Sequence, residues 1–248
     1  MSASHFDEIA TVYDESLPSH VVEHYLRKRV AYVASVSRRG SVLDVGCGTG
    51  VLAERLALRG YEVTGADPSE GMLEVLRARR PMVRAVQASG TGLPFEDGTF
   101  DLVLCVAVMH HVADPEDVRV TLAEMVRVSK PWGRVLVWDH NPRNPYWGSL
   151  MARVPQDTGE ERLVGQDEII RGLIEGGGQV LRCQQLGLVP DFTPRRALRV
   201  VAALEWLVER TPGVRRYAAH NVILATKRPR PQLPRTESSA TISPSGSR

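Results

Sequence analysis

Cysteine is scarce in this chain of 248 residues: there are three, Cys47, Cys105 and Cys183, odd in number and irregularly spaced. That argues against a disulfide framework or a cysteine-rich zinc site, and a reduced, cytoplasmic setting is expected. Lysine is as rare: Lys28, Lys130 and Lys227 stand among 31 basic residues, the rest arginine, as a GC-rich genome would produce. No run of 18 apolar residues occurs, so no membrane span is expected. The first ten residues carry no basic stretch leading into an apolar one, which argues against a secretory signal. Net charge is also nearly absent, at +2. Lys227, Arg228, Arg230, Arg235 and Arg248 against Glu237 place +4 in the last 22 residues, leaving −2 for the other 226. Without a basic field over its body, the chain is a poor candidate for a nucleic-acid binder.

What is present is an ordinary globular composition, 43% hydrophobic and 24% charged. Short apolar runs at 41–45, 61–66, 83–88, 100–106, 134–138, 179–186 and 221–226 read as strands. Helical periods lie at 20–38, 51–59, 69–79, 115–129, 166–175 and 195–210, with a short N-terminal segment at 5–14. Strands alternating with helices of this length predict an α/β fold with a doubly wound, mostly parallel sheet. Residues 146–165 fit neither period and read as an insertion after the fifth strand, on the edge where such sheets bind ligands. The period at 195–210 suits a homodimer face, although packing against the last strands explains it more simply.

The sharpest signal is Val42-Leu43-Asp44-Val45-Gly46-Cys47-Gly48-Thr49-Gly50, a strand running through a glycine turn into a helix. The glycines permit a tight bend and close approach of a ligand to the backbone. Asp67, at the end of the second strand and 21 residues after Gly46, stands where a carboxylate meets the hydroxyls of an adenosine ribose. A dinucleotide fingerprint requires glycine where Val51 stands, and Asp44 would repel a pyrophosphate. A P-loop is absent. An adenosine ligand that carries an ammonium and a cationic sulfur suits two carboxylates, and S-adenosylmethionine has both. Cys47 reads as a small residue the turn requires, not as a redox centre.

These segments, with Thr64-Gly65-Ala66-Asp67-Pro68, Leu93-Pro94-Phe95, Met109-His110-His111-Val112 and Arg127-Val128-Ser129-Lys130-Pro131-Trp132-Gly133, resemble the class I S-adenosylmethionine-dependent methyltransferases, in the quinone and small-molecule branch (methyltransferase type 11). The resemblance covers roughly residues 40–140. It implies a Rossmann-like seven-stranded sheet in the order 3-2-1-4-5-7-6, helices on both faces, and S-adenosylmethionine as cofactor with S-adenosylhomocysteine as product. It divides the chain into an N-terminal helical lid at 1–38, a methyltransferase domain at 39–228 with a lid insertion near 141–165, and a disordered tail at 229–248. Carried over by position, Gly46, Cys47 and Gly48 line the methionine part, Asp44 faces its amino group, Asp67 takes the ribose, and Pro68 and Met72 pack near the adenine. Ser89 and Gly90 stand where the family often has an Asp for the adenine amino group. Val106 touches the cofactor through its backbone. Tyr13 matches a lid tyrosine that covers the sulfonium, where an aromatic face suits a cation. Trp132 replaces a glycine usual in the family.

An oxygen acceptor must lose its proton, and His is the commonest base near neutral pH. His110 and His111 follow the fourth strand, and Asp139 and His140 the fifth, so these four are the candidate catalytic residues. Each cluster can equally be structural. The four side chains are of types that can hold a divalent ion, but no metal is expected. Tyr146 and Trp147, after two Asn-Pro turns, are a candidate acceptor wall. The expected function is methyl transfer to a small-molecule acceptor, a hydroxyl slightly favoured, by in-line displacement. The alternatives are a cofactor-binding regulatory module without turnover and a methyltransferase acting on a macromolecule.

Overall fold

In the computed structural model, which describes residues 3–112, 114–151 and 161–229, seven strands are hydrogen-bonded in the order β3-β2-β1-β4-β5-β7-β6. They are β1 (Ser41–Val45), β2 (Glu62–Asp67), β3 (Arg84–Gln87), β4 (Phe100–Val106), β5 (Ser129–His140), β6 (Gly178–Leu186) and β7 (His220–Lys227). β7 runs antiparallel to both β5 and β6, and the other pairings are parallel. The helices are α1 (Ala3–Ile9), α2 (Ser19–Val36), α3 (Val51–Ala57), α4 (Glu70–Arg79), α5 (Pro115–Val128), α6 (Trp147–Leu150), α7 (Gln166–Glu175) and α8 (Leu198–Arg210). The tail from residue 230, and residues 152–160 of the expected insertion, fall outside the described residues.

Strand side chains alternate between two cores because successive residues point to opposite faces. On one face Leu43, Val103, Val135 and Ile223 pack with Leu122 and Met125 of α5 and Leu173 of α7. On the other, Val42, Leu102, Leu136 and Val222 pack with Leu26 and Val30 of α2, Leu56 of α3 and Leu76 of α4. Burial on both faces explains why β4 reads as a nearly continuous apolar run. Helix starts follow local chemistry. The Ser69 hydroxyl accepts the Met72 N–H at 3.1 Å, and Asp114 accepts from Glu116 ahead of Pro115, whose ring suits the first helical turn.

One expectation is corrected. α8 does not pack its apolar stripe on the last strands. Val200, Leu204 and Leu207 are exposed, and the fully buried side chain on the helix is Glu205. The inward face is polar because it meets α2: Glu205 takes His24 and Lys28, each at 2.8 Å, and Glu209 also pairs with Lys28.

Candidate active site

The C-terminal ends of β1, β2, β4 and β5 converge on one cleft at the centre of the sheet, between strands whose connections run in opposite directions. The glycine turn leaves β1 with Gly46 at φ 70° and Gly48 at φ 53°. A Cβ on Gly46 would stand 2.5 Å from the Val108 side chain, whereas one on Gly48 would project into open space. Glycine at the first position therefore lets the β4 loop close in, and at the second it leaves the backbone bare to a ligand. Ala107, in the loop that follows β4, is itself held at φ 58°. That is a strained conformation for a residue with a side chain, and such residues gather at functional sites.

The cleft has two chambers. The first, about 370 Å³, is lined by Gly46, Gly48, Asp67, Pro68, Met72, Ser89 and Gly90, with Tyr13 at its boundary. The second, about 560 Å³, is lined by Asp44, Cys47, Val106, His110 and His140, among others. Tyr13, Gly46, Gly48, Ala107 and His111 border both. Of the expected site residues, Asp139 alone lines neither chamber: it is fully buried beneath the second.

Asp67 Oδ2 accepts the Gly48 N–H at 2.8 Å and Oδ1 the Ser69 N–H at 3.0 Å. Burial raises its pKa, opposed by these two donors. Each carboxylate oxygen keeps a second lone pair for a ligand hydroxyl. Asp44 is pushed up to about 7, first by burial and then by repulsion from Asp67, with Arg29 opposing. Asp7 of α1 accepts from the Ser69 hydroxyl at 2.6 Å and the Gly71 N–H at 2.9 Å, tying the N-terminal segment over the first chamber. Asp14 does the same with Thr49 at 2.5 Å and Arg80 at 2.8 Å. Thus Tyr13 is held at the boundary by carboxylates on either side of it in the sequence.

The catalytic candidates meet. His110 Nδ1 lies 2.8 Å from Asp139 Oδ1. Asp139 also accepts the backbone N–H groups of Val108 (3.0 Å), Met109 (2.5 Å) and His140 (2.7 Å). Burial alone would raise its pKa, but His110 and these donors hold it below the usual carboxylate range. His140 stacks between His110 at 4.0 Å and Trp147 at 3.6 Å. Burial first, with the neighbouring His110 adding to it, carries His111 down to about 3 and His140 well below its ordinary value. Both rings are therefore neutral at pH 7. One nitrogen or oxygen from each of His110, Asp139 and His140 falls within a 4.8 Å cluster, but the carboxylate is already engaged by four donors.

The structure adds residues that the sequence did not single out. Arg29 of α2 is half-buried in the wall of the second chamber, and its buried Nε has no hydrogen-bond partner among the described residues. Its guanidinium carbon lies 5.7 Å from the Tyr25 ring and 5.9 Å from that of Trp138. Burial lowers its pKa, opposed by Tyr25, Tyr13, Asp44 and Asp139. His220 of β7 lines the same chamber, and its Nδ1 is likewise unpartnered. Asp117 and Thr121 of α5 line the first chamber beside Ser89 and Gly90. The helical period at 20–38 put Arg29 on a helix, but nothing local shows which charge it faces.

The cleft fits a zwitterionic nucleoside. Asp44 and Arg29 offer opposite charges within one chamber, and the Asp67 carboxylate lies in the other.

A family model described as a methyltransferase domain matches residues 43–137. The demethylmenaquinone methyltransferase of Paenarthrobacter aurescens is 35% identical over 58% of this chain and 60% of its own length. That of Renibacterium salmoninarum is 37% identical over 60% of this chain and 68% of its own length. Against the first of these, the chain therefore spans less than two thirds of the relative. Among solved structures, an S-adenosylmethionine-dependent methyltransferase from Thermotoga maritima, described as a possible histamine N-methyltransferase, superposes with a TM-score of 0.68. The match covers 91% of this chain and 99% of that one at 22% identity, a likeness of fold. Descent seen in the Renibacterium match and a donor cleft built for a charged nucleoside lead to the same place: the chain belongs to the S-adenosylmethionine-dependent methyltransferases.

Proposed function

We propose that the chain moves a methyl group from S-adenosylmethionine to an ionisable hydroxyl or the adjoining ring carbon of a flat, apolar small molecule, by in-line displacement. The supporting observation is the second chamber, which Trp147, His140, His110 and Tyr25 line beside the aliphatic Leu26 and Leu150. Relatives named demethylmenaquinone methyltransferase make a quinol the first acceptor to test.

The cofactor, when bound, supplies an electrophilic methyl on a cationic sulfur. Asp44 would hold the ammonium, Arg29 the carboxylate and Asp67 the ribose, with the bare backbone of Gly48 beside them. Tyr13 and His111 stand where the chambers meet and narrow the passage to water. Asp139 fixes the His110 ring through Nδ1, which places the proton-accepting lone pair on Nε2. His110 then takes the acceptor's proton, with Asp139 stabilising the imidazolium that forms. Positioning and desolvation supply most of the acceleration for a displacement whose leaving group needs no acid.

The test is methyl transfer to reduced demethylmenaquinone by wild type, His110→Ala and Asp139→Asn. Replacing a positioned base should lower kcat about 10²- to 10⁴-fold. S-adenosylhomocysteine affinity, read by titration calorimetry, should stay within about twofold in His110→Ala. Full turnover in His110→Ala would remove the base from the reading.

A further inference from the structure

α8 is an amphipathic helix built inside out. Its carboxylates, Glu205 and Glu209, face α2 and the loop after β6, accepting the Leu188 N–H at 2.8 Å and the Gly187 N–H at 2.7 Å. Its solvent side carries Val200, Leu204, Trp206 and Leu207, each more than half exposed. Phe192 before the helix is 67% exposed, and Val214 after it 49%. Interleaved with these are Arg195, Arg196, Arg199, Arg210, Arg215 and Arg216, all exposed. Between residues 192 and 217 no carboxylate is exposed. Helical spacing sets Val200, Leu204 and Leu207 in one stripe. Arg210 lies over Trp206 at 4.1 Å, along the flank of that stripe.

We infer that this face is a docking surface for an anionic lipid bilayer, with α8 lying in the plane of the headgroups. An apolar stripe with a tryptophan and a border of arginines is what an interfacial helix requires. Charge complementarity selects the occupant. Six cations with no exposed carboxylate in the same segment attract a negative headgroup layer, while the stripe enters the acyl boundary. A second copy is disfavoured, because a two-fold contact would set each arginine cluster against its twin. Nucleic acid would satisfy the arginines and leave the aliphatic stripe in water.

The surface also continues toward the acceptor chamber. Leu188, Val189, Pro190 and Asp191 line that chamber and lead directly to Phe192, whose ring lies 5.8 Å from Tyr146 at the chamber wall. Bilayer docking would bring the chamber mouth to the membrane, a benefit that rests on the proposed apolar acceptor. The docking itself does not.

The experiment is co-sedimentation of the full chain with vesicles of phosphatidylcholine alone and of phosphatidylcholine with phosphatidylglycerol. Binding to the anionic vesicles should be at least about tenfold tighter and should weaken with added salt. Leu204→Glu with Leu207→Glu, and separately Arg215→Glu with Arg216→Glu, should each lower it about tenfold or more. Both changes fall on exposed positions, and unchanged S-adenosylhomocysteine binding will report an intact fold. Equal partition to both vesicle types, or variants that bind as wild type does, would overturn the proposal. So would a dimer in sedimentation velocity that the leucine changes dissociate, or tighter binding to RNA than to anionic vesicles. Inactivity toward quinols with vesicle binding retained would count against the acceptor reading alone.

Discussion

Asp44 shows how one buried carboxylate turns pH into affinity. If Asp44 holds the ligand ammonium as proposed, its pKa of about 7 means that protons compete with that ammonium near neutrality. A cation binds the ionised form, so affinity rises with pH through that value. S-adenosylhomocysteine should bind about tenfold more tightly at pH 8 than at pH 6, as the carboxylate passes from mostly protonated to mostly ionised. Calorimetry across that range checks it, and Asp44→Asn should bind more weakly and lose the dependence. At the opposite end of the sheet, Trp132 occupies φ 63° with 62% of its surface exposed. The left-handed conformation strains a side-chain-bearing residue while little burial is gained. Trp132→Gly should therefore stabilise the chain by about 1 kcal/mol in urea unfolding. The same residue was noticed in the sequence as a departure from the glycine usual in the family. The strain is the physical content of that departure.

At the scale of elements, the contact between α2 and α8 is polar and enclosed. Glu205 is held at about 2, where burial raises the pKa but His24 and Lys28 lower it further. Glu205→Ala leaves the Leu188 N–H and part of the Lys28 charge without a partner in a buried place. The expected cost is about 3 kcal/mol of unfolding free energy. Equilibrium denaturation will read it, and an effect under about 0.5 kcal/mol would show that the network is solvated. The N-terminal segment is joined differently, through Asp7 and Asp14, to elements already fixed by the sheet. Strand and helix positions were legible from period and punctuation, and β1, β4 and α7 match them end to end. β5 begins earlier than the apolar run suggested, because Ser129 pairs with Phe100 across an irregular register that no alternation reveals. The orientation of α8 was not legible either, since period alone does not say which face meets the rest of the chain.

Over the whole molecule, buried imidazoles set the response to acid. His111 and His220 are held at about 3 and His140 well below its ordinary value, all chiefly by burial. A histidine depressed from 6.5 contributes stability that is present above 6.5 and lost as pH falls toward its folded value. Asp44 has the opposite sign: raised to about 7, it adds stability as pH falls through 7. The three histidines, joined by Asp139 and Glu205 held below the usual carboxylate range, oppose Asp44 and Asp67, so between pH 6.5 and about 3 the unfolded chain gains more protons than the folded one. The urea midpoint should drop steadily over that interval, and a flat profile would contradict the burial of the histidine cluster.

The alternation of strands and helices, the glycine turn and the place of Asp67 at the end of the second strand were determined along the chain, because period, turn chemistry and spacing are local properties, while the strand order was implied by the family resemblance. His110, His111, Asp139 and His140 were also visible, but not which of them touch. That emerged only when β4 and β5 were set side by side, with Asp139 beneath His110. Tertiary structure alone decided that Arg29 shares a chamber with Asp44, that His220 reaches the same space from β7, and that α8 turns its carboxylates inward. Burial and neighbouring charge govern all three. Both depend on segments far apart in sequence being folded against one another.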